Sequence, residues 1–175
     1  MDDLTAVALG ARSGDRRALE ALIRATQVDV WRLCSHLGSP GETEDLTQET
    51  YLRVVRALPS FRGDAPVRTW VLSIARRTCA DSVRRRVRDR QIQERVERRH
   101  EVTSTAVGDE MSDASLQIDR LPDEFRQALL LTQVLGLSYA EAAEVSECPI
   151  GTIRSRVARA RDLLTRVDDA REANG

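Results

Sequence analysis

The stretch LGLSYAEAAEVSECPIGTIRSRVARAR, residues 135–161, decides the reading of this chain. Gly136, lacking a Cβ, suits a left-handed helix stop, and Ser138-Tyr139-Ala140-Glu141 forms a capping box that opens a new helix at once. That helix runs through Ala142, Ala143 and Val145 and turns at SECP (146–149). A last helix, from about Ile150, sets Ile153, Val157, Ala160 and Leu164 on one face and Arg154, Ser155, Arg156, Arg159 and Arg161 on the others. A short helix, a tight turn and a basic second helix make a helix-turn-helix, whose second helix can lie in a DNA major groove. Arg and Ser near its N-terminus suit base edges and phosphates, although an ordinary amphipathic helix with an arginine-rich solvent face would show the same charge pattern.

Working outward, Leu121, Phe125, Ala128, Leu129, Thr132 and Leu135 predict a helix ahead of Gly136. Before it, residues 100–119 hold five acids, no Arg and little periodicity, as expected of a flexible acidic linker. Upstream, Val67, Trp70, Val71, Ile74, Ala75 and Thr78 predict a helix that runs into the arginine cluster Arg84, Arg85, Arg86, Arg88 and Arg90. The segment PSFRGDAP (59–66) reads as a loop. Leu46, Thr50, Val54, Ala57 and Leu58 mark a helix ended by Pro59, and Leu19, Leu22, Ile23, Val30, Leu33, Cys34 and Leu37 mark another, with Asp15 as its N-cap and a break at 38–41. The expected organisation is a three-helix first domain (1–99), the linker (100–119), a helix-turn-helix domain (120–168) and a tail (169–175).

The composition agrees with an all-α fold of two small helical domains: 175 residues, 41% apolar and 31% charged but only 3% aromatic. Every one of the 27 basic residues is Arg, the side chain suited to phosphate forks and guanine edges. The net charge of -1 conceals basic segments at 53–99 and 150–166, separated by acidic ones, which suggests two polyanion-facing surfaces. In the first of these, Phe61, Arg62 and Arg68 accompany the run from Arg76 to Arg90 and could hold phosphates while an unstacked base enters a pocket. Trp70 sits on the apolar stripe and reads as core. Asp45, Gln48 and Glu49 form a compact polar and acidic patch within one helical turn.

Three scattered cysteines (Cys34, Cys79, Cys148) fit neither a disulfide framework nor a metal site. No Gly-rich phosphate loop or nucleophile elbow is present, so no catalytic residue, cofactor or metal is expected, and the chain does not read as an enzyme. Without a signal segment or an apolar run long enough to span a bilayer, a soluble cytoplasmic protein is expected.

Three segments, DLTQETYLRVVRAL (45–58), RTWVLSIARRTCADSVRRR (68–86) and the opening stretch, in this order and spacing, resemble the extracytoplasmic-function (ECF) RNA polymerase sigma factors. The last segment is most similar to the actinobacterial sigma C type. The resemblance implies a subunit that binds core RNA polymerase, recognises minus-thirty-five and minus-ten promoter elements and promotes strand opening. It also implies partners: the β′ clamp helices, the β flap and promoter DNA, with an anti-sigma factor left open.

Carried over by position, Asp45, Gln48 and Glu49 match the clamp-binding surface. The 59–66 loop, with Phe61 and Arg62, matches the element that captures a flipped minus-ten base. Arg68, Trp70, Arg76, Arg77, Asp81 and Arg84 fall in the strand-opening helix, and Thr152, Arg154, Ser155, Arg156 and Arg159 in the minus-thirty-five reader. Arg77 replaces an Asn common in the family, and Glu147 replaces a turn Gly. By the same resemblance the two domains pack together in the free protein, which should then bind promoter duplex weakly. The linker could thread toward the polymerase cleft or serve as a plain tether. A stand-alone helix-turn-helix regulator is the alternative, but it leaves 45–90 unexplained.

Overall fold

The computed structural model describes residues 2–97 and 118–172, so the expected linker, apart from its last two positions, and the end of the tail lie outside the described residues. Helices α1 (Asp3–Arg12), α2 (Arg16–Leu37), α3 (Thr43–Ala57) and α4 (Val67–Glu97) form the first half. A 3-10 turn, Leu58–Ser60, follows α3 and contains the helix-ending Pro59. The second half holds α5 (Asp123–Leu129), α6 (Tyr139–Ser146) and α7 (Ile150–Glu172), and no strand occurs among the described residues.

The first half has four helices, not the three expected. The extra helix, α1, begins where the Asp2 carboxylate accepts the Thr5 N–H at 2.6 Å. It buries Thr5, Ala8 and Ala11, side chains so small that their three-residue spacing makes a faint apolar stripe. Asp15 caps α2 as expected, accepting from the N–H groups of Arg17 and Ala18. Leu22, Val30 and Leu33 of α2, Val54 of α3, and Val67, Val71 and Leu72 of α4 fill the core. The buried Thr26, Thr50 and Thr78 each donate to the carbonyl four residues earlier, which satisfies their hydroxyls without leaving the helix. Gly38 permits a close approach: a Cβ there would strike the Leu46 side chain and the Cys34 carbonyl. The Cys34 and Cys79 thiols meet 3.8 Å apart in this core as free cysteines.

In the second half, Ile118 and Asp119, the last two residues assigned to the linker, are helical, and Ile118 packs on the cluster of Leu121, Leu129 and Ala160. The single α-helix expected up to Leu135 instead widens into a π turn over Leu130–Val134. The Leu135 N–H reaches the Leu130 carbonyl, five residues back, at 2.9 Å. Gly136 stops the helix at φ +66°. The capping box forms in full, with Ser138 accepting the Glu141 N–H and Glu141 accepting the Ser138 N–H. Glu147 ends α6 in the left-handed region, φ 54° and ψ 44°, a conformation that costs a non-glycine residue about 1 kcal/mol.

The two halves are not separate. Leu135, Leu137, Ala142, Val145 and Ile153 belong to the same buried cluster as Val71, Ile74 and Ala75, and α6 lies against α4. The apolar face of α4 is therefore shared, one side turned to α2 and α3 and the other to the helix-turn-helix.

Candidate nucleic-acid and partner interfaces

On α3, Leu46, Thr50 and Val54 face inward, and the three candidate partner-binding residues lie off that stripe. Asp45 and Gln48 are exposed, and Asp45, in the first turn, is also favoured by the helix dipole. Glu49 is half-buried and engaged: it accepts from Arg53 at 2.8 Å, Arg53 donates to Asp81 at 2.6 Å, and Asp81 accepts from Arg84 at 2.6 Å. This chain of charges ties α3 to α4, and the hydrogen bond from Arg53, assisted by Arg84, holds the Asp81 carboxyl below its usual range. A cleft of about 400 Å3 opens between the two helices, with Asp45, Glu49, Ser82 and Arg85 on its walls. Sequence reasoning missed a set of exposed apolar side chains on α2 and α3. Val28 and Trp31 on α2 and Leu52 and Val55 on α3 are roughly half exposed, Trp31 at 51%. The signal was their position: each pair is spaced i, i+3 and lies off its helix's buried stripe.

The second candidate surface is the loop at 59–66 with α4. A pocket of about 240 Å3 is lined by Ser60, Phe61, Arg62, Gly63, Asp64, Ala65 and Trp70. Phe61 is only 4% exposed, and its ring lies 4.8 Å from that of Trp70, tilted by 42°. Both residues line the pocket, and Trp70 is half-buried, packed against the core cluster and not enclosed in it as its place on the apolar stripe predicts. Arg62 is exposed and has no acceptor among the described residues.

Four other candidate arginines of this surface, Arg68, Arg76, Arg77 and Arg84, are occupied. Arg68 donates to Asp29 at 2.7 Å and to the Leu135 carbonyl at 2.6 Å. Arg76 pairs with Glu147 at 3.3 Å, and Arg77 pairs with the same carboxylate. Arg84 is held by Asp81. The Arg77 guanidinium holds the Glu147 carboxyl below its usual range. Two more contacts cross the seam: His36 Nδ1 to Asp119 Oδ1 at 3.0 Å, and a cavity of about 220 Å3 lined by Leu37, Arg76, Cys79, Asp123 and Arg126. The fit is imperfect, because Arg76 Nε and Arg126 Nε are buried with no partner among the described residues.

The third surface is α7. Ile153, Val157 and Ala160 are buried, while Arg154, Ser155 and Arg159 are exposed, the two arginines with no acceptor among the described residues. Arg156 differs: it is turned back onto Glu124 at 2.9 Å and touches the Cys148 sulfur. Thr152 is half-buried, and its carbonyl accepts from the Ser155 hydroxyl at 2.9 Å. The end of α6 is fixed to α5 by Gln127, which donates to the Ser146 hydroxyl at 2.8 Å. The helix-turn-helix is therefore rigidly framed, with an outward basic face.

The family model for sigma-70 region 2 matches residues 22–89, and that for sigma-70 region 4 matches residues 114–164. The sequence is 50% identical over 165 residues to the probable RNA polymerase sigma-C factor of Mycobacterium bovis, covering 92% of this chain and 89% of that one. The chain belongs to the ECF RNA polymerase sigma factors. It is also 31% identical to the ECF sigma-E factor of Escherichia coli K12, with 87% of each chain covered. Among solved structures, the sigma factor resembles CnrH in complex with the cytosolic domain of CnrY (TM-score 0.75, 26% identity, 97% and 99% covered). It also resembles RpoE of Bartonella quintana in complex with the anti-sigma factor NepR (TM-score 0.73, 25% identity, 86% and 96% covered). A stand-alone helix-turn-helix regulator is not favoured, since the matched region 2 accounts for the α2–α4 half that such a regulator leaves without purpose. Among the described residues of the sigma factor, no helix is long and apolar enough to cross a membrane.

Proposed function

We propose that this sigma factor uses its three surfaces in sequence on one promoter. Asp45 and Gln48, with the exposed Leu52 one turn beyond Gln48 on α3, dock on the β′ clamp helices of core polymerase, and Glu49 positions Arg53 behind them. The α7 face reads the minus-thirty-five duplex, with Arg154, Ser155 and Arg159 toward base edges, while Thr152 and Arg156 steady the helix near phosphate. The 59–66 pocket accepts an unstacked minus-ten base, whose lost stacking is offset by pocket contacts, while Arg62, Arg68, Arg76, Arg77 and Arg84 follow the strand's phosphates. The chain contributes no bond-making chemistry; the polymerase supplies it, in the cytoplasm.

The observation that carries this reading is the coexistence, on one chain, of a free basic face on a helix-turn-helix and a base-sized pocket beside a row of arginines. The closed seam adds a condition. Arg76 and Arg77 hold Glu147, and Arg68 holds the Leu135 carbonyl besides Asp29, so this part of the minus-ten surface is freed only when the helix-turn-helix leaves α4, and core polymerase is the agent that holds the halves apart. An inhibitory protein of the kind bound to the Bartonella relative would act on the same equilibrium.

Run-off transcription with core polymerase on a promoter library tests the proposal. Promoter-specific transcripts that require both elements are expected, together with weak binding of the free chain to promoter duplex. Tight specific binding without core, or no specific transcription with it, would overturn the reading.

A further inference from the structure

Helix α1 carries none of the residues assigned above, yet the 59–66 loop is tied to it at both ends. At the near end, Arg12 Nη1 donates to the Phe61 carbonyl at 2.9 Å. At the far end, the buried Thr5 Oγ1 accepts the Val67 N–H at 3.1 Å, capping α4 from a different helix. Between these ties Gly63 turns at φ +79° directly over α1: a Cβ there would lie 3.6 Å from Thr5 Cγ2 and 3.9 Å from the Leu9 methyls. The support is itself fixed, since Asp2 caps α1 and its Ala8 and Ala11 are buried against the core.

A pocket that discriminates bases does so with polar groups held in place, and a loop of this length has few internal means of holding them. Here the orientation of the Phe61 carbonyl is set by Arg12 and the exit into α4 by Thr5. We propose that α1 is the template on which the base pocket is shaped, and that Thr5 and Arg12 are positioning residues that set which base the loop accepts. The inference rests on the base-capture reading of the 59–66 loop. Neither residue needs to touch DNA; each fixes one end of a loop whose backbone and Arg62 would.

The experiment uses the full chain with core polymerase on four promoters that differ only at the captured minus-ten base, measuring open-complex formation on each. A 2-aminopurine at that position reports unstacking. Thr5→Val and Arg12→Ala should lower the preference for the best base by roughly tenfold, as when a pocket's polar groups shift without being removed. Thr5→Ser, which keeps the hydroxyl, should restore it, and core affinity should not change. Arg62→Ala is the control for the underlying reading. If Arg62→Ala alters base preference while Thr5→Val and Arg12→Ala do not, the proposal fails and the base-capture reading stands. If all three leave preference untouched, both fall. An equal loss on all four promoters with a lowered melting temperature would reduce α1 to a stability element and also overturn the proposal.

Discussion

The two arginine-bearing helices, α4 and α7, differ less in composition than in what their guanidinium groups already hold. On α4, Arg68, Arg76, Arg77 and Arg84 each have a carboxylate or carbonyl acceptor within the chain. On α7, Arg154 and Arg159 face solvent without one among the described residues. The same residue type thus exists in two states of readiness: on α7 Arg154 and Arg159 are presented while Arg156 and Arg161 are held by Glu124 and Gln133, and on α4 all four of these arginines are held. Charge counted from sequence measures capacity for a polyanion; availability depends on competing acceptors that only the tertiary structure brings near.

The largest expected effect comes from collapsing the frame of α7. Ile153 is fully buried in the cluster shared by both halves, so Ile153→Ala should destabilise the chain by about 2–5 kcal/mol, read as a lowered thermal midpoint, and should free α4 as well. A midpoint unchanged from the parent chain would mean that α7 is not part of the common core. Next, Arg154→Ala or Arg159→Ala should relax discrimination at single minus-thirty-five positions by about 1–3 kcal/mol each and leave the minus-ten preference intact. Competition binding of the polymerase holoenzyme to point-substituted promoters measures this, and an equal loss at both elements would blur the distinction between the helices.

Glu147 sharpens the comparison. Glu147→Gln removes the negative charge that holds Arg76 and Arg77, the exposed Arg77 pair being worth about 0.2–1 kcal/mol, so the free chain should bind a minus-ten single strand several-fold more tightly. Glu147→Gly should do the same and also raise the stability of the helix-turn-helix by up to about 1 kcal/mol, because it relieves the left-handed backbone. Fluorescence anisotropy and thermal melts separate the two contributions. The smallest effect is on pH. The Arg77 guanidinium lowers the folded-state value of Glu147, so the pair contributes fully above the ordinary glutamate value of 4.5 and fades as pH falls through the lower one. Acid titration of the parent chain against Glu147→Gln should show the difference between them vanish at low pH.

Local chemistry carried most of what sequence could tell. The capping box at Ser138 and Glu141, the left-handed Gly136 and Glu147, and the Asp15 cap are each short-range effects, and each is present. Helix α1 escaped notice because Thr5, Ala8 and Ala11 make a stripe with little apolar bulk, even though Asp2 had the form of a cap. The π turn has no side-chain signature at all. The seam is a long-range feature, and its pairings join residues about 70 positions apart. One hint was available: Val67, Val71, Leu72, Ile74, Ala75 and Cys79 wrap more of α4 than a single packing partner needs, so that helix had to be covered on two sides. Of the candidate residues, the exposure of Asp45, Gln48, Arg154 and Arg159 was legible from periodicity, whereas the burial of Phe61 and the engagement of Arg68, Arg76 and Arg77 were not.

The bond from Arg68 to the Leu135 carbonyl has a kinetic consequence. Arg68 keeps the Asp29 carboxylate within its own half, and its tie across the seam is to a neutral oxygen, a weaker rival for a guanidinium than an incoming phosphate, whereas the Glu147 carboxylate is nearly the phosphate's equal. Displacement along α4 should therefore start at Arg68 as a foothold and advance to Arg76 and Arg77, so that separation proceeds like the unfastening of a zip from its loose end, and the Leu135 side of the seam should be the first to exchange its protection for water.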